Sequence, residues 1–176
     1  MPSIQAIADA LSTTFTDERY PVGTLYVQTD NQVKNGVSNV DTTLDFALLS
    51  GERTWVFIHA KEAITAGQMV EVDVGVGAVP FSGEPCDGDV VDRYLLLGVA
   101  DNDIAASSYG WVIKRGACVV LASAGVALGE ALDTDGSSGS EGALDTSAGA
   151  AGSVGRALEA LSGTKTNYVQ AYINIP

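Results

Sequence analysis

Tyr168-Val169-Gln170-Ala171-Tyr172-Ile173-Asn174-Ile175-Pro176 decides the fold class. Val169, Ala171, Ile173 and Ile175 alternate with Tyr168, Gln170, Tyr172 and Asn174. An alternation of period two is that of a β-strand with one face on a core and one in water. The same reading extends upstream. Arg53–Ala60 is rich in β-branched and aromatic residues and reads as a long strand. Gly23–Thr29 alternates, and so do Val70, Val72 and Val74 with Glu71 and Asp73. Tyr94–Ala100, Gly110–Lys114 and Ala117–Leu121 complete the strands, with Arg115-Gly116 as a tight turn or a bulge between the last two. Residues 75–92, with Pro80, Pro85 and four acids, read as a loop. The expected fold is mainly β, a β-sandwich or small β-barrel.

Two segments depart from this pattern. Residues 1–20 read as an N-terminal arm in which Ile4, Ile7, Ala8 and Leu11 recur at helical spacing and Phe15 extends the apolar stripe. The stripe either caps its own domain or docks on a neighbouring subunit. The polar run at residues 12–18 favours docking. Residues 21–176 form a single β domain. Within residues 123–155, 21 of 33 are Gly, Ala or Ser and none is aromatic, so a mobile loop is expected over 133–153.

Composition narrows the partners. The 176 residues carry 9 Lys and Arg against 22 Asp and Glu, a formal charge of −13. Nucleic acid and anionic membranes are bound through clustered cations, so neither is an expected partner. The apolar run Tyr94–Ala100 is far shorter than the roughly 20 residues of a spanning helix. No secretory signal is expected at the N-terminus. Cys86 and Cys118 match no metal or redox spacing; two unpaired thiols are favoured over one disulfide, with Cys118 in the core.

Catalytic patterns are weak. His59 is the one histidine and shares a strand face with Trp55 and Phe57, so a triad or a His-based metal site would depend on it alone. Ser162-Gly163-Thr164-Lys165 fits S-x-x-K in form but reads as a turn between strands. Gly75-Val76-Gly77 lacks the third glycine of a dinucleotide site. Asp133-Thr134-Asp135-Gly136-Ser137 suggests a calcium loop, yet position 144, where the closing acid should fall, is Leu144. No enzyme activity, cofactor or metal is expected.

An internal repeat is visible. Ile64–Asp73 aligns with Val126–Asp135 at an offset of 62, and Leu97-Gly98-Val99-Ala100 with Val154-Gly155-Arg156-Ala157 at 57. It is either a structural duplication or chance likeness among Gly/Ala/Val-rich strands. The order of these motifs, with Ile104-Ala105-Ala106, Gly110-Trp111-Val112 and the closing strand, resembles small capsid cement (decoration) proteins of tailed phages over about residues 55–175. It is similar in particular to a small phage family catalogued as a domain of unknown function and labelled capsid cement. The resemblance implies a structural virion protein on the capsid exterior, made in the bacterial host cytoplasm. Its partners would be the major capsid protein and itself, as a homotrimer. The expected contacts are Ile4, Ile7, Leu11, Phe15, Tyr168 and Tyr172. A carbohydrate- or receptor-binding β module of a virion fibre is the alternative, with Tyr168 and Tyr172 stacking on sugars.

Overall fold

The structure is a computed structural model that describes residues 11, 13–28, 51–75, 79–86, 95–122, 125–134, 142–146, 153–161 and 168–176. The fold is mainly β. The first half contributes β1 (Leu25–Gln28), β2 (Arg53–Ala60), β3 (Met69–Val72), β4 (Ser82–Pro85), β5 (Leu96–Ala100) and β6 (Ser108–Leu121). The second contributes β7 (Ala131–Thr134), β8 (Leu144–Thr146), β9 (Gly155–Ala157) and β10 (Tyr168–Asn174). They form one sheet in the order β1-β2-β4-β3-β5-β6-β10-β9-β7-β8, and β2 also pairs with β6.

That extra pairing closes β2, β4, β3, β5 and the first half of β6 into a five-stranded ring. Val56, Ile58, Val70, Ala100 and Val112 belong to its buried core. The second half of β6 opens another ring with β10, β9, β7 and β8, closed by a parallel bridge between Ala122 and Leu144. The two rings are copies of one unit. Val70 faces Gly98 in the first, and Leu132 faces Gly155 in the second. Ala100 faces Val112, and Ala157 faces Ala171. Val56 faces Val112, and Cys118 faces Ala171.

The turn that opens each unit repeats down to its hydrogen bonds. Gln68 N–H donates to Thr65 O at 3.1 Å, and Glu130 N–H to Ala127 O at 3.2 Å. In the return direction, Gln68 Oε1 accepts from Thr65 N–H and Glu130 Oε2 from Ala127 N–H, both at 2.6 Å. Gly67 (φ +87°) and Gly129 (φ +80°) take the left-handed third position, which explains the glycine in both motifs. Their amides reach Ala100 O at 2.7 Å and Ala157 O at 2.9 Å. The repeat is therefore a structural duplication, with β6 shared between the copies.

The junction lies at the bulge in β6. Thr54 pairs with Arg115 and Trp55 with Ile113, so Lys114 is an extra residue. Arg115-Gly116 thus sits in a bulge within one 14-residue strand and not in a turn between two. An extra residue inverts the in–out alternation beyond it. Before the bulge, Val112 faces the first ring's interior and Ile113 its outside; after it, Cys118 and Val120 face the second ring's interior. The second interior is consequently continuous with the first ring's outer layer. Trp55, Phe57, Trp111, Cys118, Leu132 and Ile173 share one cluster. Each large side chain buried there stabilises the fold by roughly 1.5–3 kcal/mol.

Several sequence expectations change. Ser82–Pro85, expected in a loop, is β4, and Pro85 is tolerated because it ends the strand. Asp73, expected on a wet face, is buried, while Val74 is exposed. The reason is an ion pair: Lys61 Nζ lies 3.0 Å from Asp73 Oδ1 and 2.8 Å from Glu84 Oε2. Gln170, also expected in water, is fully buried. The chain at residues 158–159 crosses it, with Leu158 N–H donating to Gln170 O at 2.7 Å and Glu159 Oε1 accepting from Gln170 N–H at 3.0 Å. Within the expected mobile loop at 133–153, residues 142–146 are ordered. Gly142 bonds Cys86 and Met69, and Leu144 is buried in β8. Asp133 and Thr134 belong to β7, while residues 135–141 and 147–152 lie outside the described residues.

Candidate interaction surfaces

The expected contact residues divide. Ile4 and Ile7 lie outside the described residues. Leu11 is only 5% exposed and sits in the chain's own core. Phe15 forms an antiparallel bridge with Tyr109, with N–H···O distances of 2.8 and 2.7 Å in the two directions. Its ring lies 6.4 Å from that of Tyr20 and 6.2 Å from that of Phe57. Leu11 and Phe15 are therefore occupied within the chain, despite the polar residues between them. Aromatic burial on β2 and β6 offsets the cost of ordering this segment. Tyr168 is half-buried, its ring packed against Gly67. Tyr172 is 40% exposed, and its hydroxyl accepts from Arg115 Nε at 3.4 Å.

Among the described residues, His59 is the one catalytic candidate that the structure places. His59 is half-buried, its Nδ1 3.5 Å from Ser82 Oγ and its ring 4.9 Å from that of Tyr109. Ser162–Lys165 lies outside the described residues. Both cysteines are buried and no disulfide joins them, and burial pushes the Cys118 thiol up to about 12. Among the described residues no group of three His, Cys, Asp or Glu is arranged to hold a metal. Glu84 pairs with Lys61. The Gly75 amide first, and Lys61 second, hold the Asp73 carboxyl below its ordinary range. Hydrogen bonds to Glu84 and Asp73 hold Lys61 above its own. This cluster ties the end of β2 to β3 and β4.

Two surfaces stand out. The first is apolar and lies at β1, the terminal strand of the sheet among the described residues. Tyr26 and Gln28 of β1 face the core, the Tyr26 ring 6.4 Å from that of Trp111 and Gln28 Oε1 accepting from Trp55 Nε1 at 3.0 Å, so the alternation leaves Leu25 and Val27 outward. Those two, with Val74, Val79 and Phe81, are five of the seven exposed large apolar residues among those described. Phe81 holds an unusual backbone conformation. Val79-Pro80-Phe81-Ser82 is a turn closed at 2.9 Å, with Phe81 at φ +58° in a position that favours glycine. A bulky residue there costs about 1–2 kcal/mol. The ring it presents lies against Gly23 and is 38% exposed. Sequence reading missed this site; Pro80-Phe81, where such a turn favours Pro-Gly, is the feature that marks it.

The second surface is a depression of about 400 Å³ on the second ring, lined by Ser153, Val154, Arg156, Leu158, Tyr172 and Asn174. The β9–β10 register sets Arg156 beside Tyr172, and the β6–β10 register sets Arg115 beside Asn174. Arg156 was not recognised in the sequence because its place depends on that pairing.

The fold defines a protein built of two duplicated five-stranded β rings in tandem. No protein-family model and no curated protein matches the chain. Among solved structures it is similar to the head fiber gp8.5 N base in bacteriophage phi29, at 17% identity and a TM-score of 0.48, over 68% of this chain and 92% of that one.

Proposed function

We propose that this chain is a structural virion protein that binds the outer surface of a tailed-phage icosahedral capsid. It stabilises the shell by bridging major capsid protein subunits, as a homotrimer, and does so without catalysis, nucleic acid or membrane. The observation that carries the reading is the exposure of Leu25 and Val27 on β1 and of Val79 and Phe81 in the turn whose aromatic ring lies against Gly23, just before β1. Exposed apolar side chains grouped in this way mark interaction sites, and a strained backbone that presents an aromatic ring points the same way. The order of sequence motifs that resembles capsid cement proteins supplies the partner. The charge of −13 suits an exterior protein kept from DNA before docking. Bridging several subunits raises the effective concentration of each further contact. Ile4 and Ile7 are further contacts in this reading.

The test is addition of purified protein to shells that lack it, followed by sedimentation. Binding that saturates at a fixed copy number per shell, with greater resistance of the shell to heat, is the expected result. Failure to saturate on any shell of the encoding phage refutes the proposal.

A further inference from the structure

We infer that the depression between Tyr172 and Arg156 binds a carboxylate-bearing saccharide, a uronic-acid-type sugar. The duplication points to it. Its register equates Arg156 with Val99 and Tyr172 with Ile113. Val99 and Ile113 are fully buried in the larger core. The second ring carries a cation and an aromatic ring at the same places, Arg156 exposed and Tyr172 40% exposed. One copy of the unit thus uses this face for packing, and the other leaves it open and polar.

The chemistry of the lining suits a sugar acid. Val154 and Leu158 give an apolar floor, and the Tyr172 ring offers a face for sugar C–H groups. Arg115 Nε fixes the Tyr172 hydroxyl at 3.4 Å. Arg156 commits Nη1 to Gly129 O at 3.0 Å, and its remaining N–H groups are placed for a carboxylate. Ser153 and Asn174 add groups for hydroxyls. In a chain of net charge −13, two arginines flanking one depression select an anion. The walls favour sugar over an acidic peptide. Both β9 and β10 are paired on two sides, so neither offers free backbone groups for strand addition.

The test titrates the whole chain with an oligogalacturonate and with a neutral malto-oligosaccharide of equal length, by calorimetry and saturation-transfer NMR. The expected result is saturable binding of the acidic sugar, with the neutral one weaker by about tenfold or more. Arg156→Gln and Tyr172→Ala should each lower acidic-sugar affinity by about tenfold and leave the melting temperature unchanged. Absence of saturable binding overturns the inference, as does binding that both variants leave intact. Equal affinity for the neutral sugar overturns the choice of an acid. Shell binding is read in parallel with Arg156→Gln, a residue outside the expected shell contacts; it is expected to be unchanged, so failure here is distinct from failure of the capsid reading.

Discussion

Leu11→Ala and Phe15→Ala, singly and together, ask whether the segment before β1 belongs to the fold or is free for a neighbour. Leu11 is 5% exposed, and truncating a buried leucine costs about 2–5 kcal/mol. Phe15 is half-buried and sits at ring–ring distances of 6.4 and 6.2 Å from Tyr20 and Phe57. Each such pair contributes about 0.5–1.5 kcal/mol beyond area. The two backbone hydrogen bonds to Tyr109 survive in both variants. The double variant should therefore lose about 4 kcal/mol. A chain of this size moves by roughly 2–4 °C per kcal/mol, so the melting temperature should fall by roughly 8–16 °C. Calorimetry of the wild type, both single variants and the double variant gives the answer. A double variant within about 2 °C of wild type would refute the packing described here and return these two side chains to an external partner.

Phe81→Gly relieves the left-handed strain while removing a partly buried ring, two effects of about 1–2 kcal/mol each. Thermal unfolding should change by only a few degrees, while retention on shells falls by about tenfold or more, as for an aromatic hot spot; unchanged retention would show that this face is not the docking face. Gly116→Ala places a Cβ 2.6 Å from Glu52 O, whereas Gly125→Ala meets nothing within 4 Å. Both substitutions carry the positive-φ penalty, so denaturant unfolding should show Gly116→Ala the more destabilised; equal losses would mean that the bulge at the β6 junction is not close-packed. The Asp73 carboxyl is held below its ordinary value, so its contribution is present above the unfolded pKa and lost as pH falls through the folded one. Asp73→Asn should accordingly be less stable than wild type near neutrality and converge with it at strongly acidic pH; parallel pH–stability curves would contradict this.

The strands legible in the sequence are those whose signal is local. Arg53–Ala60 forms β2 with the same limits, since β-branched and aromatic residues fill it. The duplication was visible because Gly67 and Gly129 answer the same left-handed turn. What depended on distant partners was not visible. Lys61 draws Asp73 inward, the crossing at residues 158–159 buries Gln170, and Leu144 finds a core despite its Gly/Ser/Ala surroundings. The interaction surfaces divide likewise. Tyr172 could be picked out from alternation in its own strand. Arg156 and Phe81 owe their roles to cross-strand register and to a backbone conformation that residue type alone argues against.

A density map of the purified particle of the encoding phage is the most direct check on the capsid reading. We predict density for the two tandem rings on the outside of the shell, in many symmetry-related copies. The Leu25–Phe81 side should face the major capsid protein, and the Tyr172 depression should face solvent. Absence of the chain from the particle, or its presence with Phe81 turned to solvent, would contradict the reading.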